Sequence, residues 1–302
     1  MTKLTELQAH GQSIWYDNIR RALLDSGELQ ALLDAGVTGV TSNPSIFEKA
    51  IGGSADYDAA IAALPASLDE ESVFEHLALE DIGRAADLLR PVWDRTDAVD
   101  GHVSLEVSPA LAHDTDGTVA AGLRLYRALG RPNVMIKVPA TPAGMPAITR
   151  LLAEGVNVNV TLIFGLPGYE QVLTAWMEGL ERLVANGGDP GPVASVASFF
   201  VSRVDTKVDA ALEARGHRDL QGTIAIANAR MAYARFGALI DSPRWDALAT
   251  QGAQFQRLLW ASTGTKNPDY SDTMYVDELI GEQTVNTVPP ATLDLFLDHG
   301  TV

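Results

Sequence analysis

A lysine stands where a buried strand is expected. In "NVMIKV" (133–138), Val134, Ile136 and Val138 alternate with Asn133, Met135 and Lys137, the period-two pattern of a strand. A charged amine in such a run is costly unless it is paired or rendered neutral by its surroundings. Two carboxylates hold comparable positions on other strand-like runs. Asp17 shares parity with Trp15 in "SIWYD" (13–17), and Glu106 lies between Ser104 and Ser108 in "HVSLEVS" (102–108). A desolvated, neutral lysine attacks a ketone or aldehyde and forms a carbinolamine, then an imine. The protonated imine is an electron sink, so the neighbouring C–C bond can break without metal or cofactor. That chemistry needs a proton acceptor for the hydroxyl beside the breaking bond and an acid/base that manages water at the imine carbon. Two carboxylates in different surroundings suit the two tasks.

The same residue types have plainer readings. A strand lysine is at home at a sheet edge or with its amine snorkelling to water, and Asp17 and Glu106 can be its structural partners in a buried ion pair. Asn43, Asn159 and Thr161, which share the polar parity of their runs, can be ordinary satisfied groups. Arg203, just after the run "VASVASFFV" (193–201), offers a cation to an anionic ligand or an ion pair to Asp205. "STGTK" (262–266) offers hydroxyls, backbone N–H groups and Lys266 at a strand end, although it lacks the full spacing of a P-loop; a solvated face is the alternative for Lys266. Other chemistries find little support. There is no cysteine, the six histidines are scattered, and neither H-E-x-x-H nor G-x-S-x-G occurs. No metal and no cofactor is expected.

The chain has 302 residues, 46% hydrophobic and 20% charged, an ordinary globular composition. Its 39 acidic against 22 basic residues give a formal charge of −17, which argues against a nucleic-acid partner. A phosphorylated ligand would need a local cluster of Arg, Lys and backbone N–H groups. The N-terminal residues do not read as a signal peptide, and no run approaches the roughly 20 apolar residues of a membrane span; a cytoplasmic protein with no membrane partner is expected.

The elements that must position these side chains recur as short apolar runs separated by longer amphipathic ones. Beside those quoted, the runs are "GVTSN" (39–43), "VNVNVTLIF" (156–164), "RLLWAST" (257–263) and "TVNTV" (284–288). Between them "TVAAGLRLYRALG" closes on Gly130, "GYEQVLTAWMEGLERLVANGG" reaches Gly187, and "AIANARMAYARFGALI" has helical apolar spacing. About eight strand–helix alternations without hairpin turns predict parallel strands in an α/β fold, a closed (β/α)8 TIM-type barrel. The rival open, doubly wound sheet usually carries a G-x-G-x-x-G turn, which is absent. One barrel domain over residues 1–302 is expected, with an extra helical insertion near 67–95 and the final helical segment missing after "DLFLDHGTV". Polar residues near the C-terminal strand ends would then converge on one mouth.

With these residues placed, the sequence resembles the transaldolases of the longer bacterial type. The likeness runs over nearly the whole chain, through "GVTSNPSIF", "VSLEVSP", "NVMIKVPAT", "GVNVNVTLIF", "ASFFVSRVD", "LLWASTGTKNP" and "ELIGEQTVNTVP". It implies a class I, Schiff-base transfer of a dihydroxyacetone unit between sugar phosphates in the non-oxidative pentose phosphate pathway. By motif it implies Lys137 as the imine-forming lysine and Asp17 as the acid/base at the C4 hydroxyl. Glu106 would act through a water that Thr161 helps to hold. Asn43, Asn159 and Ser198 are implied as ligands of the three-carbon fragment, Arg203 and Ser262 as phosphate ligands. Shorter transaldolases carry an arginine at the place of Gly264, so Lys266 is assigned to phosphate in its stead. The partners implied are small-molecule sugar phosphates, and the assembly a monomer or small homo-oligomer. Two alternatives are an aldolase that releases the three-carbon unit and a non-catalytic sugar-phosphate binder.

Overall fold

The structure, a computed structural model, describes residues 2–302. Eight strands close into one barrel in chain order: β1 (Gln12–Tyr16), β2 (Gly39–Thr41), β3 (Val103–Glu106), β4 (Val134–Pro139), β5 (Val158–Ile163), β6 (Ser195–Phe200), β7 (Arg257–Ala261) and β8 (Thr284–Val288). Every neighbouring pair is parallel, β8 against β1 included. Each of the eight expected runs overlaps one strand, and the strands are parallel because each crossover between them carries at least one helix, which returns the chain in the same direction.

Alternation along the strands divides the apolar residues into two cores. Ile14, Val40, Leu105, Ile136, Val160, Phe199 and Leu258 belong to the layer between barrel and helices. The opposite parity gives a separate cluster that includes Trp15, Met135, Val196, Leu259 and Val285, the packed interior of the barrel. Trp15 is fully buried there. Its indole occupies the space a side chain at Gly39 would need: a Cβ at 39 would fall 2.5 Å from the ring.

The N-terminal end of the barrel is sealed by a polar plug. Asp100 accepts from Ser13 Oγ at 2.5 Å and from Trp15 Nε1 at 2.9 Å, and pairs with Arg257 at 3.1 Å. Arg257 also donates to Ser13 Oγ, Thr284 O and Val99 O. The middle layer is filled by the interior cluster, so the plug and a hollow of about 490 Å³ beside Ser13, Asp100 and Arg257 are separated from the cavity at the C-terminal strand ends.

The helix expected near 67–95 spans Glu70–Arg95, with Asp69 accepting from the Ser72 N–H as its cap. It buries Leu77, Ile82, Leu89 and Val92 and packs on β3, so it serves as the crossover from β2 to β3. The helix Thr115–Leu129 closes on Gly130 in the left-handed conformation (φ 59°). The helix Pro290–His299 follows β8 and buries Leu293 and Phe296, whose three-residue spacing puts them on one face. Among the described residues no helix is long and apolar enough to cross a membrane.

Asp100→Ala should lower stability by about 3–5 kcal/mol, because it strands the Arg257 charge at the closed end. Urea unfolding checks it: adding Arg257→Met should recover part of the loss, and equal stability of Asp100→Ala and the parent would show that the plug is dispensable.

Candidate active site

Lys137 is the direct register partner of Glu106 on β3 and of Asn159 on β5, on the inward face that also carries Met135. A closed barrel has no edge, so its side chain cannot reach solvent along a sheet margin. Its Nζ is 3.3 Å from Glu106 Oε2 and donates to the Ser42 carbonyl at 3.1 Å. The two side chains are 9% and 14% exposed. The Glu106 carboxyl is thus within reach of the amine both as a partner and as a proton acceptor.

Asp17 follows β1, its backbone N–H held by Val288 O at 2.9 Å. Thr41 Oγ1 donates to Asp17 Oδ1 at 2.7 Å and is itself 2.5 Å from Thr287 Oγ1. Burial pushes the Asp17 carboxyl above the ordinary aspartate range; the Lys137 charge, the Thr41 hydrogen bond and the Arg203 charge act in the opposite direction. Folding therefore favours its protonated form, and the stability this group contributes is lost as pH rises through its folded-state midpoint.

The other expected residues separate by role in the fold. Asn43 caps the helix Pro44–Gly52, its side chain accepting from the Ile46 N–H at 3.0 Å with Pro44 at the first helical position. That commits the amide oxygen to the cap, and Asn43 lines the same cavity as Lys137. Asn159 does not line the cavity. It is wholly buried beneath it, donating to Ser104 Oγ at 3.0 Å and accepting from Ser198 Oγ at 2.7 Å. Ser198 is the member of that chain that reaches the cavity. Thr161 and Leu162 both line it, which a regular strand forbids. A register shift in β5 between Val160 and Ile163, with Leu162 at φ 62°, turns both side chains to the mouth. Leu162 remains 39% exposed.

The rim is cationic. Arg203 lies in the first turn of the helix Ser202–Glu213, its guanidinium 5.0 Å from the Phe200 ring centre. Asp205 bonds elsewhere, accepting from the Ala225 N–H and Tyr275 Oη, each at 2.7 Å. Ser262, at φ 57°, ends β7 with its Oγ 3.0 Å from Ser202 Oγ. The Lys266 amine stands over Gly264, 3.7 Å from where a Cβ at 264 would be, so its charge reaches the region in which an arginine at 264 would begin. Lys49, on the helix after β2, is a third cation on the same cavity. Among the described residues Arg203, Lys266 and Lys49 have no carboxylate within 4.0 Å, whereas most arginines do.

The space these residues enclose measures about 580 Å³. Asp17, Asn43, Glu106, Lys137, Thr161, Ser198, Arg203, Ser262 and Lys266 all line it. A hollow of about 640 Å³ lies outside the barrel, lined by residues of the helices Gly144–Ala153 and Leu166–Ala185. It holds no lysine, and its Arg150 and Arg182 are paired with Asp116 and Glu178. Among the described residues, an amine, two acids and cations without carboxylate partners share the cavity at the barrel mouth.

Residues 14–302 match the family model described as transaldolase/fructose-6-phosphate aldolase. The chain belongs to the transaldolase/fructose-6-phosphate aldolase family. It is 52% identical to the transaldolase of Saccharopolyspora erythraea, over 100% of this chain and 82% of that protein. Transaldolase 2 of a Nostoc species is 49% identical over 98% of this chain and 81% of its own length. The transaldolase of Mycobacterium bovis is 48% identical over 99% and 82%. Within this transaldolase-family barrel, reasoning from sequence missed Thr41, Lys49 and Leu162. Thr41 shares parity with Asn43, a usable signal. Lys49 reaches the mouth only through the direction of the helix after β2, and Leu162 only through the irregularity of β5.

Carbon-13 NMR of the Asp17 carboxyl should find a midpoint above that of an ordinary aspartate. Thr41→Val should move it higher still, since a donor to the ionised form is lost. A midpoint unmoved by Thr41→Val would show that the hydrogen bond does not govern this carboxyl.

Proposed function

We propose that this chain is a transaldolase: it moves a dihydroxyacetone unit from sedoheptulose 7-phosphate or fructose 6-phosphate to glyceraldehyde 3-phosphate or erythrose 4-phosphate. The observation that carries the reading is the Lys137 amine, 3.3 Å from Glu106, in one cavity with Asp17 and three cations free of carboxylate partners. Membership of the transaldolase/fructose-6-phosphate aldolase family supports it. The catalytic unit in this reading is one barrel domain over residues 1–302, acting in the cytoplasm as a monomer or small homo-oligomer.

Catalysis starts when Lys137 yields its proton to Glu106 or to water and its lone pair attacks the C2 ketone. Glu106, acting through a water held with Thr161, protonates the carbinolamine hydroxyl, and water leaves as the iminium forms. Asp17 removes the proton from the C4 hydroxyl. The C3–C4 bond breaks, its electron pair moves onto the iminium to give an enamine, and C4 departs as the aldehyde of the shortened sugar phosphate. An acceptor aldehyde enters, the enamine attacks it, and Asp17 returns the proton. Hydrolysis of the new iminium frees the lysine. The Asn43 amide and Ser198 hydroxyl hold the three-carbon fragment, with Asn159 orienting Ser198 from below. Arg203, Ser262 and Lys266 bind the phosphate; the guanidinium offers paired donors and the lysine a point charge.

Borohydride reduction in the presence of fructose 6-phosphate should leave a covalent three- or six-carbon adduct on Lys137 by mass spectrometry. Lys137→Arg should leave none, since guanidinium is not a nucleophile at neutral pH. Asp17→Ala should still be trapped while cleavage slows by roughly 10²–10⁴-fold; cleavage at the parental rate would remove Asp17 from its role, and an unmodified Lys137 in the parent would leave only a sugar-phosphate binder.

Acceptor dependence separates transfer from release. Fructose 6-phosphate should turn over slowly alone and much faster with an aldose phosphate acceptor. Equal rates with and without acceptor would make the chain an aldolase.

A further inference from the structure

Two consecutive residues at the end of β8 hold the backbone and the side chain of Asp17. The Val288 carbonyl accepts from its N–H at 2.9 Å. Thr287 reaches its carboxyl through a second hydroxyl: Thr287 Oγ1 lies 2.5 Å from Thr41 Oγ1, and Thr41 Oγ1 donates to Asp17 Oδ1 at 2.7 Å. The two threonines stand on the strands either side of β1. They are only 2% and 3% exposed, where a hydroxyl depends on protein partners. A hydroxyl has one proton to donate. Thr41 gives its proton to Asp17, so in the contact between the threonines Thr287 is the donor, and the chain runs from Thr287 to Thr41 to Asp17. Thr287 is fixed in turn: its carbonyl accepts from Thr263 Oγ1 at 3.1 Å, and it is the register partner of Trp15. Among the described residues the one side-chain hydrogen bond to the Asp17 carboxyl falls on Oδ1, and Asp17 and Thr287 both line the cavity. The charges acting on this carboxyl are Lys137 of β4 and Arg203 of the helix after β6; Glu106, Lys49 and Lys266 are the other titratable groups around the cavity.

We propose that Thr287 is a positioning residue for the acid/base step: its hydroxyl donates to Thr41 and so keeps the Thr41 proton on Asp17 Oδ1, leaving Oδ2 to take the proton of the C4 hydroxyl and to return it. The inference rests on the acid/base role given to Asp17 above. The C4 proton passes to Oδ2 as the C3–C4 bond breaks, and goes back from Oδ2 to the acceptor's aldehyde oxygen as the enamine adds. Bonds in such a chain polarise one another, each strengthening the next by about 10–30%. Reversal would place the carried proton on Oδ1, and the Thr287 proton would then need another acceptor; among the described residues Thr287 Oγ1 has no partner but Thr41. Without the Thr287 proton, Thr41 keeps its own but loses the group that orients it, and the ionised carboxylate is stabilised less.

The test is a double-mutant cycle on the full chain with two readings: the Asp17 carboxyl midpoint by carbon-13 NMR, and the pH profile of fructose 6-phosphate cleavage with acceptor present. Thr287→Val and Thr287→Ala, which remove the hydroxyl, should raise the midpoint, though by less than Thr41→Val does. The pH profile should move the same way, with cleavage roughly two- to fivefold slower on its acidic side. Thr287→Ser keeps the donor and should match the parent in both readings. In the Thr41→Val background, Thr287→Val should add nothing. An undiminished effect in that background overturns the inference, because Thr287 then acts on something other than the Thr41 proton. So does an unmoved midpoint in the parent background, a serine variant that behaves like the valine one, or a midpoint that moves while the pH profile stays. If Asp17→Ala cleaves at the parental rate, the acid/base reading fails and this inference with it.

Discussion

The buried contact between the Lys137 amine and the Glu106 carboxylate constrains everything above it. A charge inside a barrel must be met by an opposite charge or hydrogen bonds, and here β3 and β4 present both groups in direct register while Ser42 supplies a carbonyl. The pair needs a floor that excludes water and does not yield. Trp15, Met135, Val196, Leu259 and Val285 form that floor, and the Asp100–Arg257 plug closes the end behind it. The missing side chain at Gly39 is part of the same arrangement, since it makes room for the indole at the centre.

Above the pair, regular strand geometry alone does not build the site. β5 departs from alternation so that Thr161 and Leu162 both face the cavity, and Ser262 ends β7 in a left-handed conformation. Non-glycine residues at positive φ are held only where their surroundings over-determine them. Both lie at the C-terminal strand ends, around the cavity, while the lower layers keep strict parity. The filled interior below and the irregular ends of β5 and β7 above give a fixed amine with polar groups around it.

Electrostatics is the second organising problem. The surplus of acids would repel an anionic substrate, yet Arg203, Lys266 and Lys49 share one mouth without carboxylate partners among the described residues. Elsewhere on the surface arginines pair with nearby acids, as Arg131 does with Asp87 and Arg244 with Glu181. On the helix of Arg203 the acids Asp205 and Asp209 engage tyrosine hydroxyls and backbone N–H groups instead. This segregation leaves a local positive field in an acidic protein.

Eight strand–helix alternations, the inward parity of Asp17, Glu106 and Lys137, and the polar run of Thr161 were all legible in the amino-acid sequence, because side-chain direction in a strand is a local property with a period of two. The helical character of 70–95 was equally local, although its service as a crossover was not. What the sequence left open was decided by contacts between distant segments. Pairing across β3 and β4 set how Lys137 is accommodated, burial beneath Ser198 withdrew Asn159 from the cavity, and the helix after β2 brought Lys49 to the rim. The Asp205 carboxylate, two residues from Arg203, turned to Tyr275, seventy residues away. Short-range alternation determines which way a side chain points; only closure of the barrel determines what it meets there.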